Sequence, residues 1–216
     1  LATDDGMNAA GGNDSSGFEG PGFGGDQFAS TEGAYINIAG GVLRVNAFGD
    51  GIDSNGDITV SGGETYVSGS TNDGNGTLDY SGTAQITGGI FAAAGSSGMA
   101  QNFDSSSTQG VIMINTDPQE QNTNIVLLDN NGTELLNWTA EKEYSSIIMS
   151  SSEIKEGETY TIKAGTTEQS ITMDSLVYGN NSHGGAPGSS GGERGDRQGD
   201  GMQRKPGKEQ DSGNIL

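Results

Sequence analysis

A short unit ending in a glycine pair recurs three times. It reads Ile36-Asn37-Ile38-Ala39-Gly40-Gly41, then Ile58-Thr59-Val60-Ser61-Gly62-Gly63, then Ala84-Gln85-Ile86-Thr87-Gly88-Gly89, at spacings of 22 and 26 residues. Repetition at such a period means that each unit is one turn of structure, unable to bury an apolar face alone and stacked on its neighbour. A strand-like stretch follows each pair: Leu43 to Ala47, Thr65 to Gly69, Phe91 to Gly95. A third unit then aligns Asp50-Gly51-Ile52-Asp53 with Gly76-Thr77-Leu78-Asp79, with Ser97-Gly98-Met99-Ala100 and, upstream, with Asp5-Gly6-Met7-Asn8. Met7, Ile52, Leu78 and Met99 form an apolar column; Asn8, Asp53, Asp79 and Ala100 form a polar column beside it.

Each period therefore holds three short strands separated by tight turns. Alternation with period 2 points Leu43, Val45 and Ala47 inward and Arg44 and Asn46 outward. Coiling places each strand about 4.8 Å from its counterpart in the next turn. An antiparallel meander would not require equivalent residues to recur in register. The expectation is an all-β chain whose residues 1–110 form a parallel β-solenoid. Gly is 39 of 216 residues and hydrophobic residues are only 30%, which suits a narrow core that turns often. Residues 10–33, with Phe18, Phe23 and Phe28, read as a long loop thrown out of one coil. Residues 111–178 lose the glycine-pair repeat and read as a small antiparallel β module that could cap the open end, with turns at Asn130-Asn131-Gly132 and Lys155-Glu156-Gly157-Glu158. Residues 179–216 read as a disordered low-complexity tail.

Charge narrows the partners. The formal charge is −20, and residues 1–178 carry all of the excess, with 24 acidic and 4 basic side chains. Such a body repels nucleic acid and anionic membranes and attracts divalent cations, calcium above all. There is no Cys, hence no disulfide and no thiolate metal site. The longest apolar runs, 111–114 and 125–128, are strand-sized, so no membrane insertion is expected. No leader-like segment is visible and Leu1 falls in mid-pattern, so the chain reads as a fragment or a processed form, expected to be a monomer.

Asp50 and Asp53 flank Gly51-Ile52 at a turn, where both carboxylates can point outward. Asp79 stacks on Asp53 one coil up, with Asp5 and Asn8 one coil down. Stacked carboxylates about 5 Å apart repel by a few kcal/mol at intermediate dielectric, unless a cation sits between them. Asp5, Asn8, Asp50, Asp53, Asn55 and Asp79 are therefore the candidate Ca2+ ligands, against the alternative of solvated turn residues. Asp53 to Glu64 imitates an EF-hand loop, but Ile58 stands where that loop needs Gly and strands flank it, so that reading fails. Arg44 and Tyr66 share an outward column and Tyr80 lies in the next segment. They could stack on sugar rings and pair uronate carboxylates, or be ordinary strand surface. Trp138 favours core packing. His183 and the Arg194-Gly195-Asp196 tripeptide fall in the tail and carry no reading.

The stretches Tyr35 to Gly41, Ala47 to Gly56, Thr71 to Tyr80 and Ala93 to Gln101 together resemble a bacterial family of carbohydrate-binding β-helix proteins, described as binding cellulose and polygalacturonic acid. The match is looser from Asp4 to about Tyr178, and the family's earlier N-terminal coils are lacking. The resemblance implies a right-handed parallel β-helix similar to pectate lyases, calcium between coils, and an extracellular or cell-surface location. The expected function is calcium-dependent binding of plant cell-wall polysaccharide without cutting it, with calcium bridging acidic protein and uronate. A lyase would need a basic group beside calcium, and the repeat region offers only Arg44. A cell-surface adhesin or structural protein is the other alternative.

Overall fold

The computed structural model describes residues 1–10 and 30–179. Most of the expected 10–33 loop, its three Phe residues, the 180–216 tail, His183 and the Arg194-Gly195-Asp196 tripeptide lie outside the described residues. The described residues are all-β, with several sheets and no helix.

The repeats become stacked rungs. Strands β1 (Met7–Ala9), β4 (Ile52–Ser54) and β6 (Leu78–Tyr80) form a three-stranded parallel sheet in the register Met7↔Ile52↔Leu78 and Asn8↔Asp53↔Asp79. Strands β2 (Tyr35–Ile38) and β3 (Val42–Asn46) both pair in parallel with β5 (Asp57–Ser68), which pairs in parallel with β7 (Ala84–Gly95). One detail differs from the expected three short strands per period. In the second and third rungs the chain runs through the glycine pair as one twelve-residue strand, with a register shift between Ser61 and Glu64. Gly63 and Gly89 supply the bend by adopting φ of 84° and 92°, which a Cβ would oppose.

Alternation then builds the core. Ile38, Val60 and Ile86 stack in register, as do Val45, Val67 and Ala93, all buried in one cluster with Ile52 and Leu78. Met99 does not join the Met7–Ile52–Leu78 column as a paired strand residue. The chain instead turns over the end of the stack, where Phe103 packs edge-on to Phe91 at 5.0 Å.

Past Gly110 the pairing turns antiparallel, except that the last strand pairs in parallel with the first of this region. Strand β8 (Val111–Gln119) is followed by β9 (Asn124–Leu128), β10 (Glu134–Thr139), β11 (Tyr144–Ser150), β12 (Thr159–Ala164), β13 (Thr167–Thr172) and β14 (Val177–Tyr178). Strand β11 pairs antiparallel with both β7 and β8, so the sheet continues across residue 110 in the order β14-β8-β11-β7-β5-β2. The remaining strands form an antiparallel sheet, β10-β9-β12-β13. The Asn130-Asn131-Gly132 turn does join a hairpin, β9 to β10. Lys155-Glu156-Gly157-Glu158 does not: its flanking strands β11 and β12 belong to different sheets, and β12 pairs with β9 and β13 instead. The larger sheet is buried on both sides. Phe91, Ala93, Val111, Met113 and Ile148 face the stacked core, while Ala92, Ala94, Ile112, Ile147 and Met149 face a second core with Trp138, Ile162 and Ile171.

Candidate functional site

The acidic column forms on the three-stranded sheet, as the repeat alignment requires. Asn8 sits between two carboxylates, its Nδ2 donating to Asp5 Oδ2 and to Asp53 Oδ2, each at 2.9 Å. Asp79 lies in register above Asp53. Asp5 and Asp50 do something else: each carboxylate reaches up one rung to a backbone N–H. Asp5 Oδ1 accepts from Asp50 N at 2.8 Å, and Asp50 Oδ1 accepts from Gly76 N at 2.6 Å. These bonds serve donors at tight turns that the strand ladder cannot reach.

Asp50 departs from the expected outward aspartate, because it is buried at 9% exposure. Burial pushes its carboxyl up to about 7, and the charges of Asp79, Asp5 and Asp53 push the same way, against the hydrogen bond from Gly76. A buried carboxylate among three others is the site's strongest electrostatic feature.

Gln101 was not among the expected site residues. Alignment put Ala100 next in the polar column, but Ala100 is buried and the chain slips by one residue, so that Gln101 caps the ladder. Its Nε2 donates to Asp79 Oδ1 at 2.9 Å. Its Oε1 is buried with no hydrogen-bond partner, which is costly for a carbonyl oxygen unless a donor or a cation meets it. A Gln following a column of Asn and Asp was the available signal.

Calcium takes six to eight oxygens, and Asp5, Asp50, Asp53, Asp79, Asn8 and Gln101 supply oxygen of the right kind. Among the described residues, however, no group of three or more His, Cys, Asp or Glu is arranged as a ready ligand set. The carboxylates are turned toward N–H donors instead. Asn55 Nδ2 donates to the Ala10 carbonyl at 3.4 Å.

The expected sugar-binding residues fare differently from one another. Tyr80 is not on the surface: it is 9% exposed and its hydroxyl donates to the Asn102 carbonyl at 2.7 Å. Alternation explains the correction, because in β6 an inward Leu78 forces Tyr80 inward too. Arg44 and Tyr66 do share the outward column, as register partners. The outward face is covered there, however. The Tyr66 ring lies between the Arg44 guanidinium, 4.5 Å from its centroid, and Trp138, at 6.2 Å, and its hydroxyl donates to Glu64 Oε2 at 3.1 Å. Burial and then Glu64 raise the Tyr66 phenol above its usual range. Among the described residues the aromatic exposed on a parallel strand is Tyr35, at 68% exposure, which alternation with Ile36 and Ile38 could have identified. No family model, no curated protein and no solved structure matches this chain.

Proposed function

We propose that the stacked rungs are coils of a right-handed parallel β-helix, and that the protein is a non-catalytic, calcium-dependent binder of acidic plant cell-wall polysaccharide such as polygalacturonate. The observation that carries the reading is Asp50, buried among Asp5, Asp53 and Asp79 with its carboxyl raised to about 7. A divalent cation there relieves three repulsions at once. Rotating the Gln101 amide would turn its buried, partnerless Oε1, in place of Nε2, toward Asp79. Rotating the Asn8 amide would turn its oxygen, rather than its NH2, toward the same carboxylates. Asp5, Asp53 and Asp79 would hold the ion with these amide oxygens, and the ion's remaining charge would meet a uronate carboxylate that the acidic body alone repels. A location outside the cell or on its surface goes with this reading.

The test is a calcium titration of the thermal midpoint, followed by affinity electrophoresis in polygalacturonate with calcium or EGTA. Calcium at a hundredfold excess over Kd adds about 2.7 kcal/mol of stability, and Asp53→Asn with Asp79→Asn removes that gain. Polygalacturonate retardation unchanged by EGTA in a folded protein refutes calcium bridging.

A further inference from the structure

Asn is followed by Gly at three positions: Asn55-Gly56, Asn75-Gly76 and Asn131-Gly132. In such a pair the backbone nitrogen of the Gly can attack the side-chain carbonyl of the Asn, because no Cβ hinders the approach. The dipeptides are identical, and their surroundings are not. Attack needs an N–H that can leave its partner and room for the backbone to swing. Gly76 has neither. It is buried, and its N–H donates to the buried Asp50 carboxylate at 2.6 Å. A Cβ there would lie 2.8 Å from the Met99 carbonyl, so neighbouring backbone holds it in place. Gly56 is also buried. Its N–H donates to the Ser54 hydroxyl at 3.2 Å, and a Cβ there would strike the Ala34 carbonyl.

The third pair is built differently. Asn131 and Gly132 are both exposed, in the turn that joins β9 to β10. Gly132 N donates to the Asp129 carbonyl at 3.0 Å, a neutral partner at the surface. A Cβ on Gly132 would meet nothing within 4 Å, so the backbone there is free to turn. The Asp129 carboxylate accepts from the N–H groups of Asn131 at 2.9 Å and Thr133 at 2.7 Å, and Asn131 Nδ2 lies 3.5 Å from it.

We infer that Asn131 is a self-modification site, at which the exposed turn converts asparagine to aspartate and isoaspartate through a cyclic imide. Gly132 N bonds to Asn131 Cγ, its proton passes through water to Nδ2, the Cγ–Nδ2 bond breaks, and ammonia leaves. Water then opens the imide at either of its two C–N bonds. One opening gives aspartate. The other leaves the backbone running through Cβ and Cγ, one carbon longer. The sum is one water taken up and one ammonia released. Either product sets a carboxylate beside Asp129 where an amide donor stood. The turn that holds the register of β9 and β10 loosens, and with it the seat of Trp138 on Tyr66.

The test holds the full wild-type chain in warm, mildly alkaline buffer, with and without urea. Peptide mass spectrometry follows each Asn–Gly pair, and an isoaspartyl methyltransferase counts isoaspartate. In the folded protein Asn131 should convert about tenfold faster than Asn75 or Asn55, the scale of freeing an N–H from a strong hydrogen bond. In urea the three rates should converge. Asn131→Gln, whose longer side chain closes the ring far more slowly, should lose the fast isoaspartate signal while Asn55 and Asn75 keep their wild-type rates. Conversion at Asn55 or Asn75 as fast as at Asn131 in the folded protein overturns the assignment. So does an Asn131 that stays intact when folded while the unfolded chain converts, since the turn would then protect it. A lead of Asn131 that persists undiminished in urea also overturns it, because flanking sequence rather than exposure would be the cause.

Discussion

Asp50 makes stability depend on pH in a direction opposite to that of most carboxylates. Its carboxyl sits at about 7 in the folded chain against an ordinary 3.8. The folded state therefore holds a proton that the unfolded chain has released between those limits. Stability is fully present below about 3.8 and is lost as the pH rises through 7. At roughly 1.4 kcal/mol per pH unit the whole interval is worth about 4 kcal/mol. Solvent reaching the exposed side of Asp5 and Asp53 trims this toward about 2 kcal/mol. Urea unfolding at pH 4.5, 6 and 7.5 in EGTA measures the loss. Asp50→Asn keeps an oxygen acceptor for Gly76 N but cannot ionise, so its stability should fall about 2–3 kcal/mol less than the wild type between pH 4.5 and 7.5. Calcium should flatten the wild-type profile, because the cation favours the charged carboxylate, and should do little for Asp50→Asn. Equal slopes for the two proteins in EGTA would refute the reasoning, since they would mean that Asp50 releases its proton no later than an exposed aspartate.

Three further outcomes test the packing. Tyr80→Phe should cost about 1 kcal/mol by removing a buried hydrogen bond, and should leave glycan retardation unchanged, because the ring is core. Gly63→Ala should cost about 3 kcal/mol or more, whereas Gly132→Ala should cost about 1 kcal/mol. Both have φ near 80°, but only at Gly63 does a Cβ strike backbone, and urea midpoints compare them. Lys142→Met should cost about 1–2 kcal/mol in the same assay, because Lys142 Nζ binds the Ala47 and Gly69 carbonyls at the corner of two rungs and lies 4.2 Å from the Phe48 ring centroid.

The rung registers were legible because stacking repeats the same local environment. The glycine pairs aligned Ile38 with Val60 and Ile86, and the turn units aligned Asn8 with Asp53 and Asp79, as the pairings have it. What stayed hidden depended on layers that a repeat does not encode. Tyr66 points outward as alternation requires, yet Trp138 of a distant strand covers it. Asp50 belongs to a turn, where carboxylates usually face water, but its side chain folds back on Gly76 N. The Ala100 alignment failed at the last repeat unit, where the chain leaves the parallel stack and closes its end. Tyr80 was legible and misread, since the Leu78 rule already turned it inward.

Closing that end separates what stacking explains from what it does not. The upper edge of β7 is sealed in two halves. Strand β11 pairs with Phe91 to Gly95, while Asp104 and Ser107 accept from the N–H groups of Ala84 and Ile86. A carboxylate capping an N–H on a neighbouring rung is thus a recurring device here: Asp5, Asp50, Asp57 and Asp104 all do it. Asp57 does it while exposed, accepting from both the N–H and the hydroxyl of Thr83. Capping therefore needs an acceptor but not a buried one. Nor does it need three acidic neighbours, each of which raises the cost of ionising Asp50. Amides end the charged column on both sides, Asn8 below and Gln101 above, yet the Gln101 Oε1 is buried with no hydrogen-bond partner. Backbone capping accounts for Asp57 and Asp104 completely. It leaves the burial of Asp50 and the partnerless amide oxygen of Gln101 unexplained, and the calcium titration of wild type against Asp50→Asn tests whether a cation is the reason.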